Sequence, residues 1–300
     1  MSNSCLKHLD LGTGGAARRI AVRVFARPNP AGGPGLFWLG GFKSDMRGTK
    51  AEALAAFAQQ HGRACVRFDY SGHGESDGAF ADGTIGRWLE DSLAVFDAFC
   101  RGPQILIGSS MGGWLALLLV RALRTRSSPL PSVGEVDARS AAGEGVSPST
   151  ELAEGAPHPD PLPASGEREP SVAGLVLIAP AVDFTEVLMW QQFSPKVRRT
   201  IERDGAWARP SEYSPEPYLI TRRLIEEGRE HLLLGSMIET GCPVRILQGV
   251  KDADVPWRHA VELTSRLAQD DVVLTLVKDG DHRLSRPEDL ERLIRAVKEL

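Results

Sequence analysis

From Gln104 to Leu123 the chain reads QILIGSSMGGWLALLLVRAL: a short β-rich apolar run, two adjacent serines among glycines, then a long helix-forming run. Of the two serines only Ser110 has glycine at both −2 (Gly108) and +2 (Gly112). Ser109 is flanked at those positions by Ile107 and Met111. A G-x-S-x-G stretch between strand and helix fits a sharp turn that lifts a serine Oγ clear of a sheet, where side chains at ±2 would strike the backbone. The start of the following helix turns free N–H groups and the positive end of its dipole toward the same point. The chemistry such a serine performs is attack on a carbonyl carbon.

A serine needs a base and an acid that orients the base, in the chain order Ser, Asp or Glu, His, each after a later strand. After VRILQG comes VKDADVPW, and after VVLTLVKDG comes DHRLSRPEDL, which supply Asp252 and His282. His282 follows its strand directly, in a turn with Asp279, Gly280 and Asp281. Other histidines fit less well. His8, His61 and His231 lie in polar or helical surroundings, His158 lies in a proline-rich segment, and His259 follows Trp257 at what reads as a solvated helix start. His73, in the glycine-rich DYSGHGES loop after a strand, keeps a weaker claim. For the acid, Asp252 is preferred over Asp254 as nearer the strand end. Asp183 opens DFTE, the spacing of a helix capping box, so a structural role is expected of it. The oxyanion of an acyl-transfer intermediate would be bound by the N–H of Met111 and by that of Phe42, in the WLGGFKSDMRG loop after an earlier strand. This chemistry calls for no metal ion and no organic cofactor.

These residues must be held by a frame. Apolar β-rich runs recur at 18–26, 35–41, 64–70, 104–108, 172–180, 243–249 and 271–280, mostly continuous rather than alternating, as in parallel strands buried on both faces. Helix-like segments lie between them: KAEALAAFAQQHG closed by Gly62, IGRWLEDSLAVFDAFCRG closed by Gly102, the run after Ser110, and a last one opened by Pro287. Strand and helix in alternation predict an α/β fold, a mostly parallel sheet with helices on both faces. Two stretches break the rhythm. Residues 127–171 contain eight prolines, eight serines, five glycines and no aromatic, too little apolar surface to offset ordering, and are expected to be a disordered insertion. Residues 182–241 read as short helices between two sheet strands and are expected to form a helical lid over a cleft, with Val187, Leu188, Met189, Trp190 and Phe193 either lining an acyl groove or packing on the body.

With 300 residues, 42% of them hydrophobic, the chain suits a single domain spanning 1–300. Its net charge of −4 comes from the insertion, which carries eight acidic residues against two arginines. No basic face suggests nucleic acid as a partner. Four unpaired-looking cysteines, the lack of a signal-like N-terminus and the lack of an apolar run of about 20 residues lead us to expect a cytoplasmic protein without a transmembrane segment.

Taken together, GGF after one strand, FDYSGHGESDG, GSSMGG, GVKDADVPW and GDHR resemble the α/β-hydrolase superfamily. LGGFKSDMRGTKA with the others in the same order resembles the subfamily of the mitochondrial palmitoyl-protein thioesterase called α/β-hydrolase-domain-containing protein ten, with its bacterial relatives. The likeness runs from Leu36 to Arg124 and from Val172 onward. It implies the α/β-hydrolase fold with a small helical lid, Ser110, Asp252 and His282 as a triad, and hydrolysis of acyl thioesters or of carboxylic and acyl-glucuronide esters, small or on acylated protein. The proline-rich insertion departs from the family pattern. The N-terminus lacks an evident transit peptide, so the organellar location does not carry over. Two other readings are a general carboxylesterase of small esters and a non-catalytic binding protein on the same scaffold; the latter would be expected to have lost a triad member.

Overall fold

Strands that read as unbroken Val, Ile and Leu must be covered on both sides, and that requirement shapes the molecule. A computed structural model describes residues 5–26, 33–127, 169–210, 217–267 and 269–300. Its strands are β1 (Cys5–Leu11), β2 (Arg18–Phe25), β3 (Gly35–Leu39), β4 (Cys65–Phe68), β5 (Pro103–Ser109), β6 (Ser171–Ile178), β7 (Ala206–Arg209), β8 (Tyr218–Thr221), β9 (Val244–Gly249) and β10 (Val272–Val277). Eight form one sheet in the order β1-β2-β4-β3-β5-β6-β9-β10. β2 runs antiparallel to β1 and β4, and every pair from β4 through β10 is parallel.

The helices are α1 (Thr49–Gln60), α2 (Ile85–Phe99), α3 (Met111–Ser127), α4 (Pro195–Asp204), α5 (Arg222–Gly228), α6 (Trp257–Arg266) and α7 (Pro287–Lys298). Alternation along the strands sorts the core into two layers. Leu36, Ile105, Ile107, Val176 and Ile178 face α1 and α7 through Ala51, Leu54, Phe57, Leu293 and Val297. Phe37, Leu39, Leu106, Leu175 and Leu177 face the other way, onto α2, α3 and α6 through Trp88, Phe96, Trp114, Leu118 and Leu263. Trp88 and Trp114 are completely buried. Each removes enough apolar surface from water to contribute about 4–6 kcal/mol of transfer free energy, before the entropy of ordering it. The helix boundaries follow the expected punctuation: the Thr84 hydroxyl accepts the Arg87 N–H at the start of α2, Pro287 opens α7, and Gly62 in a left-handed conformation ends α1.

Three features depart from the sequence reading. β1 was not anticipated; it is an edge strand with mostly exposed side chains, so hydrophobic patterning carries little trace of it. The excursion at 182–241 is not helical throughout. It contains a wide helical turn (Thr185–Met189), a tight turn (Trp190–Gln192), α4, the antiparallel β7–β8 hairpin, α5 and a last turn (Arg229–His231). The hairpin forms where Gly205, at φ 80°, stops α4 and Trp207, Tyr218 and Ile220 favour extended backbone. The expected disordered insertion lies almost wholly outside the described residues: α3 runs through Ser127 and Ser171 already opens β6. Among the described residues no helix is long and apolar enough to cross a membrane.

Candidate active site

Ser110 sits on the turn between β5 and α3 with φ at 56°, a left-handed conformation that a serine adopts only when its surroundings hold it there. The holding bonds come from the neighbouring strand. The Ser110 N–H donates to Ile178 O at 2.8 Å, and the Ser110 carbonyl accepts the N–H groups of Gly113 (2.9 Å) and Ala181 (3.1 Å). The flanking glycines have the steric reason expected of them. A Cβ on Gly108 would lie 2.2 Å from Gly112 O, and one on Gly112 would lie 2.1 Å from Leu39 O.

Across the sheet edge, the loops after β9 and β10 bring the other two side chains in. His282 Nε2 lies 3.1 Å from Ser110 Oγ, and His282 Nδ1 lies 2.8 Å from Asp252 Oδ2. A carboxylate only accepts, so Nδ1 carries a proton, and in the neutral ring Nε2 then turns its lone pair to the serine hydroxyl. The Asp252 side chain is fully buried, with further donors in the N–H groups of Asp254 (2.9 Å) and Val255 (2.8 Å) and in Gln248 Nε2 (3.1 Å). Together with Asp254, these two residues bring three possible metal-ligand atoms within 4.8 Å of one another. The Asp252 carboxylate, however, already has four donors, so the set serves the imidazole rather than an ion.

The two loops are pressed together by close backbone packing. Lys251 N–H donates to Gly280 O at 2.9 Å, and a Cβ on Gly249 would lie 2.4 Å from that oxygen. Lys50 of α1, whose ammonium is pushed down to about 8 by burial, donates to the carbonyl of Arg283 beside the histidine. Sequence reading passed over Lys50, which has no motif to announce it.

The competing acids fall elsewhere. Asp254 is exposed and meets Asp252 through its backbone N–H. Asp183 is buried, and its carboxylate accepts the N–H groups of Leu233 (2.9 Å) and Leu234 (2.9 Å), clasping the two ends of the excursion. The expected capping box does not form, because those amides occupy the carboxylate; burial pushes its pKa up. His259 is not solvated as expected. It is buried on α6 beside the Val182 backbone, and burial pushes its pKa down.

The loop from Gly40 to Arg47 meets the serine from the opposite side: a Cβ on Gly41 would lie 3.4 Å from Ser110 Cβ. Among the described residues the N–H groups of Phe42 and Met111 have no intramolecular acceptor. The Phe42 ring packs on Phe80 (4.8 Å), Phe184 (5.6 Å), Trp88 (5.9 Å) and Tyr218 (6.2 Å), with Lys43 Nζ over the Tyr218 ring at 5.2 Å. Of the residues considered for an acyl groove, Met189 is buried, Leu188, Trp190 and Phe193 pack on the core, and Trp190 carries the guanidinium groups of Arg198 and Arg229.

A parallel sheet with a left-handed serine turn between strand and helix, faced by histidine and aspartate from the last two strands, defines the α/β-hydrolase class. Residues 29–293 match the Alpha/beta hydrolase family, and the chain belongs to it. It is similar to the human "Palmitoyl-protein thioesterase ABHD10, mitochondrial", 34% identical over 268 residues, 89% of this chain and 72% of that protein, and to the bovine protein of the same name at 35%. Among solved structures it is similar to a putative hydrolase from Agrobacterium vitis S4, 43% identical with a TM-score of 0.83 over 99% of this chain and 98% of that one. The mouse alpha/beta hydrolase domain-containing protein 10 is 30% identical with a TM-score of 0.74 over the same shares.

Proposed function

We propose that the protein is a serine hydrolase of acyl thioesters and carboxylic esters. The observation that carries this reading is the unbroken line from Ser110 Oγ through the His282 ring to the buried Asp252 carboxylate. In the first step His282 Nε2 takes the hydroxyl proton as Ser110 Oγ bonds to the carbonyl carbon. Asp252 holds the ring in the required tautomer and stabilises the imidazolium. The negative charge that develops on the carbonyl oxygen is met by the N–H groups of Phe42 and Met111 and by the N-terminal end of α3. His282 then gives its proton to the departing thiol or alcohol. Water, activated by the same imidazole, attacks the acyl-serine and restores the enzyme.

The apolar rings of Phe42, Phe80, Phe184 and Tyr218 join the oxyanion loop to the excursion and supply a wall suited to an acyl chain. The excursion thereby acts as a lid tied down through Asp183 and through Glu227, which accepts the Gly86 N–H at 2.7 Å. Similarity to proteins named palmitoyl-protein thioesterase supports long-chain acyl thioesters as the substrate class.

A fluorophosphonate probe, applied to wild type, Ser110→Ala and Ser109→Ala, tests the nucleophile: label is expected on wild type and Ser109→Ala and lost from Ser110→Ala. Relative kcat/KM for a palmitoyl thioester against p-nitrophenyl acetate then tests the substrate class. A folded wild type that neither labels nor turns over either compound would overturn the reading, and a preference for the small ester would transfer it to a carboxylesterase.

A further inference from the structure

An oxyanion donor on a loop is useful only if the loop cannot turn it away, and the segment carrying Phe42 holds an awkward conformation. Ser44 N–H donates to Gly41 O at 3.1 Å, closing a four-residue turn with Phe42 and Lys43 at its centre. Lys43 has φ at 57° in the third position, where the turn favours glycine or asparagine. In such turns the central peptide, here Phe42–Lys43, is flipped relative to the commoner turn that suits ordinary residues. Something must hold the flipped form.

The Lys43 N–H donates to His73 Nε2 at 3.1 Å. His73 reaches it from the loop after β4, buried among the rings of Phe80 (5.2 Å), Trp88 (5.2 Å) and Tyr70 (5.5 Å). An amide N–H can only donate, so Nε2 is unprotonated; Nδ1 then carries the hydrogen and faces Ser71 O at 3.3 Å. Burial, with Lys43 nearby, pushes the His73 pKa down to about 4, so the ring is neutral near pH 7 and keeps this lone pair. The same segment clamps the rest of the loop: Asp69 Oδ1 accepts the Met46 N–H at 2.7 Å, Arg67 donates to Met46 O at 3.0 Å, and the Tyr70 hydroxyl donates to Gly40 O at 3.3 Å. Tyr70 thus holds the peptide before the Phe42 donor, and His73 holds the one after it, the flipped Phe42–Lys43 peptide at the centre of the turn.

We propose that His73 is a positioning residue for the oxyanion hole: by accepting the Lys43 N–H in its Nδ1-protonated form it holds the Gly41–Ser44 turn in the conformation that presents the Phe42 N–H to the substrate oxygen. The proposal rests on the serine-hydrolase reading. It adds that the loop after β4, which touches no reacting atom, sets the rate of the chemical step.

The test compares His73→Phe, which keeps a ring but removes the acceptor, with His73→Gln, which restores one, using a short p-nitrophenyl ester and a trifluoromethyl ketone whose serine adduct bears the same oxyanion. His73→Phe is expected to lower kcat about 10- to 100-fold, with KM within about twofold, and to weaken the ketone by a similar factor. His73→Gln is expected to recover most of both losses. A purely structural role would lower the melting temperature and leave kcat per folded molecule in place; that result, with the ketone affinity unmoved, overturns the proposal. Nitrogen-15 spectra of the wild type give a second readout that needs no variant. His73 is expected as the Nδ1–H tautomer at pH 7, and an Nε2–H ring or an imidazolium refutes the assignment. Because Ser110→Ala is assayed alongside, hydrolysis that persists without Ser110 refutes the parent reading, whereas hydrolysis that needs Ser110 and ignores His73 refutes this inference alone.

Discussion

Gly112 is where a single added methyl group tests the site most directly. Its absent Cβ would sit 2.1 Å from Leu39 O and 2.6 Å from Gly40 O, the two carbonyls that lead from β3 into the oxyanion loop. Carbon and oxygen do not pack closer than about 3 Å, so in Gly112→Ala the elbow and the end of β3 must part by roughly 1 Å. Neither obstacle is the free end of a side chain that could swing aside. Alanine in the first turn of α3 gains up to about 1 kcal/mol of helix propensity. Overpacking against backbone costs about 1–3 kcal/mol, so a net loss of stability is expected. The larger consequence is for rate. A displacement of this size between nucleophile and oxyanion donors costs about 100-fold, or about 2.7 kcal/mol of transition-state stabilisation. Steady-state hydrolysis of a p-nitrophenyl ester, paired with urea unfolding, separates the two effects. Gly174→Ala in β6 is the control, since the nearest atoms to its Cβ belong to the flexible Leu300 side chain, at 2.9 Å and beyond; it is expected to lose stability and keep kcat. Should Gly112→Ala turn over within about threefold of wild type while remaining folded, the argument that these glycines fix the spacing of the site is wrong.

Asp252→Asn is expected to reduce kcat by about 10⁴-fold, because an amide group facing Nδ1 favours the tautomer with a proton on Nε2, which cannot accept from Ser110; the exposed Asp254→Asn should stay within a few-fold, and equal losses would show that the acid has been misassigned. Stability should fall with pH through His73. Its pKa of about 4 in the folded chain lies below the 6.5 of an unperturbed histidine, so the unfolded state binds the extra proton first and the neutral-pH stability drains away between 6.5 and 4. The full effect is about 3 kcal/mol, of which about 2 kcal/mol appears between pH 7 and pH 5. Urea midpoints at those two pH values, compared between wild type and His73→Gln, measure it; buried His259 shifts in the same direction in both proteins and cancels, and a pH dependence identical in the two would contradict the burial argument.

Ser110 was legible because the demand for glycine at both ±2 positions is steric, and steric demands write themselves into sequence. Asp252 and His282 were legible because parallel strands end on one edge, so the residues just past VRILQG and VVLTLV had to meet there. The contacts that sequence reading missed are those in which one partner is backbone. Asp183 carries the spacing of a capping residue, yet its carboxylate serves two amides some fifty positions away. His73 accepts from the Lys43 main chain, a bond to which any residue but proline could contribute the donor. His259 looked solvated beside Trp257 and Arg258, but Ala260, Leu263 and Leu267 mark the inward stripe of α6, and His259 lies at its edge. The β7–β8 hairpin was hidden inside a run with good helical residues, where cross-strand pairing decided the outcome over local propensity.

Ser110 and His282 are 172 residues apart in the chain, and the strained serine turn is itself pinned by Ile178 and Ala181, on the far side of the long proline-rich stretch. The order of synthesis therefore governs when the protein can react. A growing chain that has completed β5 and α3 carries a serine with no strand to hold its turn. Once β6 has emerged the turn can set, but the hydroxyl still has no base, since His282 follows the last strand and only α7 comes after it. On the serine-hydrolase reading, reactivity waits for β10 to pair with β9, which sets His282 against the Asp252 carboxylate that follows β9. On that reading a chain that stops short of β10 carries Ser110 without its histidine, a consequence of the winding of the sheet that needs no inhibitory segment.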